Sequence, residues 1–318
     1  MSSHSESGKL NSLFIKKASA AFINDAHITK HWEALNYLAK PAIDKAHAEY
    51  DAFEKILKES GAQVFYFPED DTVNMDSIYC RDAAIATSKG MIICNMGKEG
   101  RKHEPLAQQK AYEAAGIPVL GVIQAPGTIE GGDVAWLDAK TLAVGHTYRT
   151  NEEGIKQVTA LLKPLGVEVI SVPMPHYRGP SDVFHLMSVL SPVADNIAVV
   201  HSPLIPIVFR NELIARGFEL VEVPASEFDS MGCNVLALAP RICLMVKGNP
   251  ITKSRLEVAG CKVIEYEGAE ISVKGGGGPT CLTRPVSRDS IRVINFWIIY
   301  SNPIILYPKK RHHSQWYV

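Results

Sequence analysis

A unit of two short strands, a helix and a third strand recurs along this chain, and that repeat limits the fold more than any other feature. Apolar runs at 83–87 and 91–95 lead into helical spacing over 104–115 and a further run at 118–123. The same order returns at 134–137, 142–145, 152–165 and 167–172, and again at 188–191, 196–201, 208–216 and 219–223. A fourth copy occupies 234–239, 241–246, 250–259 and 261–266. The copies start about 50 residues apart, a period that points to radial or solenoid architecture. Short Val/Ile-rich runs suit buried strands. Alternating strand and helix also fits a doubly wound parallel sheet, but the paired strands before each helix favour the repeat. Upstream, Ile43, Ala46, Tyr50, Phe53, Ile56 and Leu57 recur at helical spacing between Pro41 and Gly61, and 63–67 reads as a strand.

Residues 1–12 are Ser-rich and read as a mobile terminus, 13–286 as one domain, and 287–318 as an atypical C-terminal extension. Of 318 residues, 46% are hydrophobic, enough for a large core without disulfide or metal staples. Lys plus Arg is 33 against 34 Asp plus Glu, a balance that argues against nucleic-acid binding and against disorder. The cysteines are Cys80, Cys94, Cys233, Cys243, Cys261 and Cys281, with no CxxC pair and no zinc-finger spacing. No apolar leader stands at the N-terminus, so a reduced, cytoplasmic setting is expected. The run at 293–307 is apolar, but it is shorter than a membrane helix needs and Asn302-Pro303 interrupts it, so no membrane role is expected.

Chemistry concentrates at the edges of the repeat units: Asp76 to Asp82 before the first, Glu130-Gly131-Gly132-Asp133 before the second, His185 before the third, and Gly275 to Cys281 after the fourth. In a radial repeat these edges converge on the axis. Each has a plain structural reading too. Asp82 could be a loop carboxylate, Gly131-Gly132 a turn, His185 a core histidine and Cys281 a buried thiol. The four glycines precede no helix start, which disfavours a phosphate loop, yet they allow close backbone approach to a ligand.

Taken together, Asp82, Glu130-Gly-Gly-Asp133, His185 and Gly-Gly-Gly-x-x-Cys281 resemble the guanidine-modifying enzymes of the pentein superfamily, from about residue 13 to Pro285. That superfamily contains dimethylarginine dimethylaminohydrolases, arginine and agmatine deiminases and amidinotransferases. The resemblance implies a five-bladed α/β propeller (pentein fold) of ββαβ pseudo-repeats. It implies Cys281 as nucleophile, His185 as general acid/base, and Asp82 and Glu130 as carboxylates facing a guanidinium. The physics agrees. A guanidinium is cationic and a poor electrophile, carboxylates orient it by bidentate hydrogen bonds, and a thiolate is a nucleophile usable near neutral pH. At an effective dielectric near 20, each such contact at about 4 Å is worth roughly 4 kcal/mol of gross attraction. No metal, nucleotide or organic cofactor is required.

Three features resemble the dimethylarginine branch. Arg149, in Arg149-Thr150-Asn151, matches an arginine that binds the substrate α-carboxylate. Arg101, in Gly100-Arg101-Lys102-His103-Glu104, matches a second arginine-bearing loop. Asp76 matches a contact to the α-amine. Arg149 is otherwise a solvated residue before a helix capped by Thr150 or Asn151. Met187 stands where arginine deiminases carry an acid, which leaves room for an N-alkylated nitrogen. Arg81 stands where the dimethylarginine enzymes carry an acid, so it either repels a substrate cation or binds a carboxylate elsewhere on the substrate. The expected activity is hydrolysis of N-methylated arginine to citrulline and methylamine or dimethylamine through a covalent thiouronium. Arginine or agmatine deimination, amidino transfer and a catalytically silent guanidino-binding protein are the alternatives. The expected partner is a small guanidino amino acid, and a homodimer is left open.

Overall fold

The computed structural model describes residues 5–289. After β1 (Leu10–Ile15) come two short helices, α1 (Ala18–Phe22) and α2 (Asp25–His31), the long α3 (Ile43–Glu59), and β2 (Gln63–Tyr66), which lies parallel to β1. The α3 helix forms because Ala46, Tyr50, Phe53 and Leu57 make one apolar stripe, and it buries that stripe.

The four units read from the sequence each form a three-stranded sheet with one helix. In the first, β3 (Ala84–Thr87) and β4 (Gly90–Ile93) form an antiparallel pair, and α4 (Glu104–Ala114) crosses over to β5 (Val119–Val122), parallel to β4. The second repeats this with β6 (Val134–Asp138), β7 (Thr141–His146), α5 (Glu152–Leu162) and β8 (Glu168–Pro173). The third has β9 (Leu190–Ala194), β10 (Ile197–Val200), α6 (Ile207–Ala215) and β11 (Glu219–Glu222). The fourth has β12 (Leu236–Ala239), β13 (Ile242–Val246), α7 (Pro250–Val258) and β14 (Lys262–Tyr266). A strand expected at 188–191 starts instead at Leu190, because Leu186–Ser188 form a 3-10 turn.

The fifth sheet is made by both ends of the chain. β15 (Arg284–Arg288) pairs antiparallel with β1, so the order β15-β1-β2 reproduces the other four sheets with the first strand supplied from the C-terminal side. Neighbouring sheets touch through their inner strands: β6 on β9, β9 on β12, β12 on β1, and β15 on β3. This is the five-bladed α/β propeller of the pentein fold.

Two boundaries are corrected. Of the stretch read as a mobile terminus, residues 5–12 are built into the fold: Leu10 starts β1, and Ser5, Glu6 and Ser7 are buried, with Glu6 ion-paired to Arg81 in the interior. The extension drawn from 287 begins inside β15, where Ser287 pairs with Ser12. Residues 290–318, with the apolar run at 293–307, lie outside the described residues. Among the described residues no helix is long and apolar enough to cross a membrane.

Candidate active site

Each of the five sheets has a polar side chain on the segment that enters its first strand: Asp82 before β3, Glu130 before β6, His185 before β9, Asn234 before β12 and Cys281 before β15. Asp82, His185, Asn234 and Cys281 line one cavity of about 300 Å³, and Glu130 is fully buried behind His185.

The turns that present these groups are tightly built. Glu130 precedes a 3-10 turn, Gly131–Asp133, and a Cβ on Gly132 would fall 2.3 Å from His185 Nδ1 and 2.8 Å from Asp82 Oδ1. Only glycine lets the three segments come that close. Asp133 accepts hydroxyl hydrogen bonds from Thr147 and Thr150, both at 2.7 Å, and the Leu186 N–H at 3.0 Å, which fixes the turn carrying His185. Burial pushes its carboxyl up to about 6 against those bonds and the nearby His185.

Cys281 sits on a turn closed by the Leu282 N–H to Gly278 O (3.1 Å) and by Thr283 Oγ1 to Pro279 O (2.9 Å). Its own carbonyl accepts the Arg81 N–H at 3.1 Å, tying the nucleophile's turn to the Asp82 segment. Asn234 Oδ1 accepts the Thr280 N–H (3.0 Å) and hydroxyl (2.9 Å), so Nδ2 is left to donate to Cys281 Sγ at 3.3 Å. A Cβ on Gly278 would lie 2.5 Å from Asn234 Oδ1, which gives this part of the glycine run its purpose. Burial and the adjacent Asp82 push the Cys281 thiol up, and the bonds from Thr280 and Asn234 and the Arg81 charge oppose them.

His185 Nε2 and Glu130 Oε2 are 2.8 Å apart. Burial works against a charge on His185, but Asp133, Glu130 and Asp82 overcome it and raise the imidazolium to about 9. Glu130, although buried, is held below the usual carboxylate range by that imidazole and by Arg149 and Arg101. The site is therefore arranged to hold His185 protonated at neutral pH.

The other expected residues are placed less simply. Arg149 lines the cavity with Nη1 3.6 Å from Glu130 Oε1 and Nη2 donating to Asp182 O at 3.4 Å. Asp76 lines it too, paired at 2.6 Å with Lys98, a residue the sequence reading did not single out. Arg101 lines the cavity as well, with most of its guanidinium turned to the protein. It is buried, donates to both oxygens of Glu104 (2.8 Å each), to Tyr79 O (2.8 Å) and to Asp82 Oδ2 (2.5 Å), and so holds Asp82 in place. Four of about five donors are committed inside the protein, which leaves little for a substrate carboxylate. Arg81 faces away from the cavity. Its Nη2 donates to Glu6 Oε1 at 2.8 Å, so its carboxylate partner comes from this chain.

Asp82 Oδ1 is buried without a hydrogen-bond partner. One ligand atom from each of Asp82, Glu130 and His185 falls within 4.8 Å of the others, a grouping that suits a cation, metal or organic.

Comparisons with known proteins agree with this geometry. The family described as N,N dimethylarginine dimethylhydrolase, eukaryotic, matches residues 14–288. A dimethylarginine dimethylaminohydrolase of Streptomyces coelicolor is 30% identical over 238 residues, 74% of this chain and 83% of that protein. An arginine deiminase of Listeria welshimeri is 25% identical over 280 residues, 75% of this chain and 67% of that one. The solved dimethylarginine dimethylaminohydrolase of Pseudomonas aeruginosa, a cysteine-to-serine variant complexed with citrulline, superposes with a TM-score of 0.70 at 24% identity, covering 87% of this chain and 99% of its own. By the match across its sheets and all five site segments, this chain belongs to the eukaryotic N,N dimethylarginine dimethylhydrolase family, hydrolases of C–N bonds in linear amidines.

Proposed function

We propose that this protein hydrolyses the guanidinium of N-methylated arginine, releasing methylamine or dimethylamine and leaving citrulline. The observation that carries the reading is the buried, unpartnered Asp82 Oδ1 in the cavity that Cys281 and His185 also line. A planar cation fills that acceptor and places its central carbon near the sulfur. The thiol sits above its ordinary value in the free protein, and a bound cation favours its ionised form. Asn234 Nδ2 stabilises the thiolate from the other side.

The thiolate then attacks the guanidinium carbon and forms a C–S bond. His185 gives its proton to the departing amine, and the C–N bond breaks to leave a thiouronium. Neutral His185 takes a proton from water, the hydroxide adds to the same carbon, and collapse expels the thiolate with the ureido product. Glu130 holds the imidazole and balances its charge in both halves. Arg149 and Asp76 are the groups for the substrate's carboxylate and amine, and Arg101 supports Asp82. Met187, buried in the cavity wall, leaves an N-methyl group in apolar contact.

Arginine deimination is the second reading, favoured by the similarity to the Listeria deiminase. A cytoplasmic setting is part of the proposal and is supported by the free cysteines among the described residues. The test is incubation with dimethylarginine, monomethylarginine, arginine and agmatine, with ureido product and amine quantified by mass spectrometry. Turnover of methylated arginines alone is expected. Turnover of arginine or agmatine alone overturns the substrate assignment, and no turnover of any overturns the reaction.

A further inference from the structure

Beneath the turns that carry Asp82 and Cys281 lies a second charged cluster that the reaction does not use. It contains Glu6, Arg81, Arg284 and Arg288, all buried. Residues 5–8 deliver the carboxylate. Ser5 Oγ accepts the N–H groups of Ser7 (3.0 Å) and Gly8 (2.9 Å), closing a turn at Glu6. Arg288 Nη1 donates to Gly8 O and to Ala237 O, both at 2.7 Å, and the Asp289 N–H reaches Lys9 O at 2.9 Å. Glu6 Oε1 thus sits 2.8 Å from Arg81 Nη2 and accepts the Trp136 N–H at 3.4 Å.

Arg81 is coupled to the site through its backbone and its charge. Its side chain, 1% exposed, donates to Gly131 O (3.2 Å) and Val134 O (3.1 Å), inside the Glu130 turn. Its N–H meets Cys281 O, and Arg284 Nη1 donates to Arg81 O at 3.3 Å. Asp82 is the next residue. A guanidinium cation so close acts in opposite directions on the two charges the reaction needs: it repels a cationic substrate and favours a thiolate.

We propose that Glu6 is a positioning residue for the reaction, whose carboxylate neutralises Arg81 beneath the nucleophile and so lets a cation bind in the cavity above. This rests on the reading that the substrate is cationic. The pairing is strong. Burial alone would raise the Glu6 carboxyl, yet Arg81, Arg288 and Arg284 bring it down to about 2. Cys281 is bonded by Asn234 and Thr280 and feels the charges of Asp82 and, from beneath, Arg81, with Tyr79 and Tyr266 nearby, while Glu6 feels the charges of Arg81, Arg284 and Arg288. Arg81 is bonded to both, by its N–H to Cys281 O and by its guanidinium to Glu6, so the effect of Glu6 passes through it.

The test is Glu6→Gln in the full chain, with Glu6→Asp and the double variant Glu6→Gln/Arg81→Met beside it. In Glu6→Gln the KM for dimethylarginine should rise about tenfold. Inhibition by citrulline, which has a similar shape with a neutral ureido group, should not change. The pH midpoint for alkylation of Cys281 by iodoacetamide should fall by about one unit. Glu6→Asp and the double variant should both return toward the parent. A purely structural role predicts instead that substrate and citrulline weaken together, and that the double variant is worse than the single; either result overturns the proposal. The alkylation profile needs no turnover. If the parent processes no guanidino compound, the substrate reading fails while an unshifted thiol midpoint in Glu6→Gln separately overturns the role of Glu6.

Discussion

Asn234 donates to the Cys281 sulfur at 3.3 Å while both of its oxygen's bonds come from Thr280, the residue before the nucleophile. The amide thus has one orientation, with its N–H toward the sulfur. Asn234→Ala should raise the thiol midpoint and lower kcat/KM by about 10- to 100-fold, since a hydrogen bond to a charged group is worth roughly 1.5–3 kcal/mol. Asn234→Asp should be worse, because a carboxylate there opposes the thiolate. The pH dependence of iodoacetamide labelling reads the first effect directly. An unchanged midpoint in Asn234→Ala would show that the contact does not bear on ionisation.

Arg101 gives a prediction in which stability and affinity separate. Arg101→Ala leaves Asp82 and Glu104 buried without their shared cation, and breaking such a buried pair costs about 3–5 kcal/mol. Urea unfolding should show a loss of that order, with kcat/KM falling as Asp82 loses its orientation. A KM increase with stability intact would instead return Arg101 to direct contact with the substrate.

The repeat was legible because buried strands and crossover helices leave a periodic apolar trace, and four of the five sheets are contiguous in sequence. The fifth was hidden because its first strand, Arg284–Arg288, and its middle strand, Leu10–Ile15, come from opposite ends, where no local period can join them. The same reasoning accounts for Asn234. It stands at the edge of the fourth unit, where the other edges supplied Asp82, Glu130, His185 and Cys281, but it reads locally as the start of a strand. Symmetry between units was the signal that could have found it. Arg81 and Arg101 could not be assigned from spacing, because an arginine facing a ligand and one clamping an internal carboxylate have the same local sequence. Only the positions of Glu6 and Glu104 distinguish them.

The imidazolium of His185 sets an alkaline limit. Held at about 9 by Asp133, Glu130 and Asp82 against burial, it should remain the proton donor through neutral pH. Turnover limited by amine departure should therefore fall as pH rises through about 9. The stability term has the same sign: a histidine raised above its unfolded value of about 6.5 stabilises the fold fully below that pH, and loses the contribution as pH rises through the folded value. Glu130→Gln removes the carboxylate charge facing Nε2 and should move the alkaline limb toward neutrality. A pH–rate profile of both proteins checks the shift, and coincident limbs would remove Glu130 from this role.

The grouping of Asp82, Glu130 and His185 within 4.8 Å could also hold a divalent metal. Arg101 and Arg149 already lie against two of these carboxylates, and the proposed chemistry needs Asp82 for a guanidinium. Exhaustive dialysis against a chelator should leave kcat unchanged, and added divalent ions should compete with substrate. Loss of activity on chelation with recovery on readdition of metal would require a metal-assisted route.

Met187 provides the test of substrate choice. It is 2% exposed and lines the cavity two residues after His185. An unsubstituted guanidinium nitrogen presents N–H groups that a thioether accepts weakly, while an N-methyl group fits against it without losing a hydrogen bond. Met187→Asp should reverse that balance. The carboxylate offers a charged acceptor to arginine and forces desolvation without a partner on the dimethylated nitrogen, so the ratio of kcat/KM for arginine over dimethylarginine should rise at least about tenfold, or about 1.4 kcal/mol. Absolute rates should fall for both, because a further buried carboxylate near Asp82 and Glu130 raises the carboxyl pKa values of the group. The ratio is free of that common loss. Equal losses for the two substrates would mean that position 187 does not read the alkyl groups, and that selectivity lies elsewhere in the cavity wall.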